Sequence, residues 1–182
     1  MSGVLIVGAA GAGKDTLASW IQEDFGARPI GFADPLRLFL RVLLGLGKHR
    51  EAAQTIGDVI RSVDPDAFVR LARHRAARAR RYVITDARLP RELAAFPDAL
   101  TIGLAASPAV RAARLAQRDG SRYQPLHHVT ETWVDTLLTQ CDVVLTNDGD
   151  GLERFAALYR AQARPLIAAY FTGRDRVRRP GA

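Results

Sequence analysis

Short apolar runs alternate along this chain with longer stretches of helical periodicity. The first run, "VLIV" at Val4 to Val7, is bounded by glycine, as a strand buried on both faces of a sheet should be. From Lys14 onward Leu17, Trp20, Ile21 and Phe25 recur at helical spacing, and Gly26 supplies a stop. Four further runs read as strands of the same sheet: "RPIGF", "YVITD" at 82 to 86, "ALTIGLA" at 99 to 105 and "DVVLTND" at 142 to 148. Strands that alternate with helices predict an α/β fold. The expectation is a parallel five-stranded sheet covered by helices on both faces, with ligands at the carboxyl ends of the strands.

Composition narrows this only a little. A chain of 182 residues, 48% of them apolar, is about one domain long and can bury a real core, and no internal repeat or low-complexity linker divides it. The single cysteine, Cys141, excludes an internal disulfide and any multi-cysteine zinc site, which agrees with a reducing, cytoplasmic setting. "MSGVLIV" carries no basic leader. The other greasy stretch, "LRLFLRVLLGLG", is broken by Arg37 and Arg41 and is too short and too charged to span a bilayer. The expectation is therefore no membrane. A formal charge of +7 fits an anionic partner, either small phosphates or nucleic acid. The closing "RDRVRRPGA" reads as a basic, solvated tail.

The chemistry begins at "GAAGAGKDTL", residues 8 to 17. A phosphate-binding loop reads G-x-x-x-x-G-K followed by Ser or Thr, and Gly8, Gly13 and Lys14 fit it between a strand and a helix, while the hydroxyl arrives one residue late at Thr16. Small residues at Gly8, Gly11, Ala12 and Gly13 let backbone N–H groups approach a polyphosphate, and the helix start adds its partial positive charge. Lys14 would reach the terminal phosphates. Asp15, in the first helical turn, either orders a metal or matches the helix dipole.

Asp86 ends the third strand in "VITDARLPRE", where it would hold magnesium through water or cap the next helix. Arg88, two residues on, points to a second anion. Arg111, Arg114 and Arg118 lie at i, i+3 and i+7 and lead into a Gly-, Ser- and Pro-containing loop, as a closing lid would be built, or as a solvated basic face. The run Arg70, Arg73, His74, Arg75, Arg78, Arg80 and Arg81 lacks interleaved aromatics for base stacking and reads as a solvated helix face, so nucleic acid is not the expected partner. His127 and His128 are adjacent and do not make a metal pair at ligand spacing.

Taken in order, "GAAGAGKDT", "FADPLR", "QTIGDVIRSVDPDAFV", "VITDARLPRE", "HHVTE" and "DVVLTNDGD" resemble the deoxynucleoside monophosphate kinases of phages and bacteria, over about residues 3 to 160. The resemblance implies a phosphate-loop kinase domain over 1–165 with a basic tail at 166–182. It further implies an acceptor-binding segment at about 32–80, a lid at about 111–131, ATP as co-substrate, Mg2+ as cofactor, and a nucleoside monophosphate as acceptor. Thr16 would take the phosphate contact and Asp15 would order magnesium. Phe32 would lie near the acceptor base, with Asp34, Arg37, Arg61 and Arg88 around its phosphate. Glu131 would face the acceptor or form a capping pair. Lys14, Arg114 and Arg118 would stabilise the transferring group. A homodimer is compatible with this reading. Two alternatives remain: a kinase for another small acceptor, of the dephospho-coenzyme A or phosphomevalonate type, and a nucleic-acid-associated ATPase.

Overall fold

The structure, a computed structural model, describes residues 2–46, 49–120, 133–149 and 151–173. Five parallel strands form one sheet in the order β2-β3-β1-β4-β5: β1 Ser2–Gly8, β2 Arg28–Ile30, β3 Arg81–Ala87, β4 Leu100–Ala105 and β5 Val143–Thr146. The glycine-bounded run is the central strand, and Val4 to Val7 are all fully buried. Its side chains alternate between two cores. Leu5 and Val7 join one, with Ile84, Phe32, Leu36, Leu40 and Leu137, while Val4 and Ile6 join the other, with Leu17, Ile21, Ile102 and Ile167.

Nine α-helices are described: α1 Lys14–Phe25, α2 Asp34–Leu43, α3 Arg50–Val63, α4 Ala67–Ala76, α5 Pro90–Ala94, α6 Pro108–Asp119, α7 Val134–Leu138, α8 Leu152–Leu158 and α9 Arg164–Thr172. The predicted stop after α1 is met: Gly26 sits at φ 63° and donates its N–H to the Gln22 carbonyl. No helix among the described residues is long and apolar enough to cross a membrane.

Two expectations shift. The second strand ends at Ile30, short of "GF", because the Phe32 and Ala33 amides donate to the Asp86 carboxylate and not to a neighbouring strand. The tail does not begin at 166. Residues to Thr172 are α9, with Ile167 fully buried, and the Tyr170 hydroxyl accepts from the Gly3 N–H (3.1 Å) and donates to the Asp98 carbonyl (2.8 Å). Between α8 and α9 the helix widens into a π turn, Tyr159–Ala163. Residues 174–182, most of the proposed tail, lie outside the described residues.

Candidate functional site

All five strands run the same way, so their carboxyl ends gather the loops that carry the candidate residues. The phosphate loop leaves the central strand at Gly8, where a Cβ would come within 2.7 Å of the Leu104 carbonyl. Gly13 then takes φ 105°, a left-handed conformation that starts α1 without strain only for glycine. Ala12 is fully buried beneath the loop. Lys14 is 8% exposed and its Nζ donates to the Ala9 carbonyl at 2.9 Å, so the ammonium already bends over the loop. Asp15 is exposed on the first turn, and Thr16 lines the adjoining cavity.

That cavity, about 620 Å³, lies between the loop, α6 and the segment after β5, and its lining includes Gly13, Thr16, Val110, Arg114, Asn147 and Phe155. Arg114 reaches the loop from α6. Its guanidinium donates to the carbonyls of Gly11 (3.4 Å) and Gly149 (3.1 Å) and to Asn147 Oδ1 (3.4 Å), which docks α6 on the loop. Arg111 donates to the Ala106 carbonyl and its backbone closes on Gly11. Arg118 is exposed one turn further along α6. The described part of the proposed lid belongs to α6 and the residue after it, while 121–131, with His127, His128 and Glu131, lies outside the described residues.

Asn147 was not foreseen. It is buried, donates Nδ2–H to the Ala12 carbonyl at 2.9 Å, and receives Arg114, so one neutral side chain ties β5, the loop and α6 together. Its signal in the sequence was a lone amide directly after the apolar "VVLT".

Across β1, the end of β3 builds a second and charged region. Asp86 accepts from the Phe32 amide (2.8 Å) and the Ala33 amide (3.2 Å), with an Arg37 guanidinium nitrogen 3.6 Å away. The carboxylate thus clasps the loop between β2 and α2. Asp34 accepts from the Gly31 amide and pairs with Arg37 (3.0 Å) and with Arg75 (2.7 Å). Arg75 thus leaves the solvated face that the basic run predicts. Arg61 pairs with Asp58 (2.9 Å) and lies over the Phe68 ring. Phe32 is corrected as well: its ring is buried edge-on against Phe96 in the core, since the clasped backbone turns the side chain inward.

Arg88 is half-buried, and its amide donates at 2.6 Å to Glu92, which also accepts from the Leu89 amide. Glu92 is only 6% exposed. Burial pushes its carboxyl up to about 7, with the Arg88 N–H opposing, the Asp86 charge adding, and the Leu89 N–H and Arg61 opposing again. Elsewhere in the basic run, Arg70 pairs with Asp64, and Arg81 donates to the Phe25 carbonyl and stacks on Phe171. Several of these charges are therefore spent within the fold. Among the described residues no three His, Cys, Asp or Glu side chains gather to hold a metal.

No known family model matches the chain. Its fold overlays on that of shikimate kinase from Bacteroides thetaiotaomicron, at 15% identity over 92% of this chain and 98% of that one, with a TM-score of 0.56. It overlays similarly on TT1252 from Thermus thermophilus, at 18% identity over 91% and 96% of the two chains, TM-score 0.56. A sugar kinase from Janibacter sp. HTCC2649 aligns at 16% identity over 94% and 98%, TM-score 0.50. The five-stranded parallel α/β fold of this chain is thus one it shares with that shikimate kinase.

Proposed function

We propose that this protein transfers the γ-phosphoryl group of ATP to the phosphate of a nucleoside monophosphate, most naturally a deoxynucleotide. The observation that carries the reading is the pairing of two sites at one sheet edge. A phosphate loop with Lys14 opens on a cavity on one side of β1, and an arginine-containing cluster stands at the end of the neighbouring β3. In the reaction an acceptor phosphate oxygen bonds the γ-phosphorus while the bond to the β-phosphate oxygen breaks. The loop amides would hold the donor phosphates. Lys14 would exchange the Ala9 carbonyl for a phosphate oxygen, and Arg114 would add positive charge beside the loop from its docked position. Arg37, Arg61 and Arg88 would hold the acceptor, because a guanidinium fork matches phosphate oxygens.

The state of the carboxylates supports an acceptor that is already anionic. Asp34 and Asp86 are both committed to backbone amides and guanidinium groups, which makes either a poor general base for a neutral hydroxyl. Exposed Asp15 and cavity-lining Thr16 offer the oxygen donors that magnesium takes. Magnesium there would neutralise charge on the donor phosphates. A second reading, a hydroxyl acceptor, is favoured by the neighbours named as shikimate and sugar kinases. One coupled assay decides: ATP turnover measured with each ribo- and deoxynucleoside monophosphate, and with shikimate and simple sugars. We expect a sharp rise with one or more monophosphates. Turnover with only the hydroxyl compounds would replace this reading by the second.

A further inference from the structure

Among the described residues Glu92 is the one carboxylate that is buried. It sits in α5, a helix of five residues that is too short to hold its shape alone. The rest of the molecule anchors it: Leu93 is buried in the same core as Phe96, and Arg91 donates to the Pro65 carbonyl at 3.2 Å. From that anchored post Glu92 Oε2 reaches back and accepts from both the Arg88 amide (2.6 Å) and the Leu89 amide (3.0 Å). One oxygen thus fixes two consecutive peptide planes where the chain leaves β3.

A helix cap alone does not account for this arrangement. A capping carboxylate works equally well at the surface, in water, whereas burial penalises its charged form. That penalty is present here, and it is what pushes the Glu92 carboxyl up to about 7. The charged groups that reach it, Asp86 from β3 and Arg61 from α3, belong to the acceptor half of the site. We propose that Glu92 is a positioning residue for the phosphate acceptor, holding the backbone of Arg88 so that its guanidinium meets the acceptor without reordering the turn. The proposal rests on the nucleoside monophosphate reading above. On an unclasped turn Arg88 would have to be ordered at each binding event, and that cost falls on acceptor affinity. The donor half, tied together by Asn147 and Arg114, would not register it.

The test is steady-state kinetics with ATP and each nucleoside monophosphate varied, on the native chain, Glu92→Ala, Glu92→Gln, Arg88→Ala and the Glu92→Ala/Arg88→Ala pair. Glu92→Ala should raise the acceptor KM about tenfold and leave the ATP KM unchanged, while Glu92→Gln, which keeps an oxygen for the two amides, should stay close to native. In the Arg88→Ala background Glu92→Ala should add almost nothing, because a residue that acts through Arg88 has nothing left to position. Amide hydrogen exchange checks the clasp itself: Arg88 and Leu89 should exchange faster in Glu92→Ala, with Val83 and Ile84 still protected. Glu92→Asp, one methylene short of the same reach, should show the same selective rise in smaller measure even where Glu92→Ala fails to fold. An unchanged acceptor KM once the clasp is lost, equal rises in both KM values, or a full further rise in the Arg88→Ala background overturns the proposal and leaves the reading of the site intact. A native chain that turns over no monophosphate fails that reading, and the positioning role falls with it.

Discussion

The two halves of the candidate site are held in opposite ways. On the phosphate-loop side, the geometry is made by backbone: a contiguous run from Gly8 to Thr16, a glycine at φ 105°, and carbonyls of Ala9 and Ala12 engaged by Lys14 and by the neutral Asn147. On the β3 side it is made by charge. Asp86 reaches residues 54 and 53 positions away, and Arg75 reaches Asp34 across 41. A backbone site tolerates changes of surrounding charge but not of glycine, whereas a site built from carboxylate clasps responds to every proton and counter-ion near it.

The sharpest way to break this comparison is Lys14→Ala. Turnover should fall at least about a hundredfold in a protein that still folds, since one preorganised cation is worth roughly 2.7–4 kcal/mol in the transition state. Near-normal turnover in steady-state assays would remove the loop from the chemistry. Next in size is a pH effect confined to the charged half. The folded-state pKa of Glu92, about 7, lies above its ordinary 4.5. Between those values the folded chain keeps a proton that the unfolded chain has released, so this group's contribution to stability falls as pH rises through the window, by roughly 3 kcal/mol in all. Glu92→Gln should therefore gain on the native chain between pH 5 and pH 8 in urea titrations. A stability difference independent of pH would show that Glu92 is not the group responsible.

Asp86→Asn should cost about 1.5–3 kcal/mol, the worth of hydrogen bonds to a charged group. It should raise the acceptor KM while leaving the ATP KM unchanged, because it unclasps only the loop between β2 and α2. The smallest expected effect is Asn147→Ala, about 1–2 kcal/mol for an unsatisfied buried carbonyl at Ala12. Its kinetic mark should be the reverse, a raised ATP KM at constant acceptor KM. If Asp86→Asn and Asn147→Ala shift both KM values together, the two halves are one coupled unit and the contrast between them fails.

The same contrast explains what could be read beforehand. The strands, the loop and the end of α1 follow from local pattern, and they stand close to where that pattern put them. The β3 side was legible only as a set of residue types. Nothing local says that Arg75, five residues into a basic run, will turn inward to Asp34, or that Asp86 will commit its oxygens to amides from another strand's loop. Phe32 was misjudged for the same reason, since its burial follows from a hydrogen bond made 54 residues away. Glu92 left a usable signal: it stands three residues after Leu89 with Pro90 between, the spacing at which a carboxylate reaches back to the amides that open a helix.

The π turn at Tyr159–Ala163 fixes how this chain can change length. Each residue removed from a helix rotates all that follows by about 100°, and a π turn carries one residue more than the α-helix it interrupts. At its first residue stands Tyr159, hydrogen-bonded to Asp24; beyond it stand Ile167 in the core and Tyr170 on the first strand. Deleting one residue inside the turn would close it into a regular α-helix and leave the isoleucine and the tyrosine near their present phase, because four α residues turn the chain about as far as the five of the π turn. The irregular turn therefore absorbs one residue of length, and a single-residue deletion within it should be better tolerated than one in the regular helix on either side.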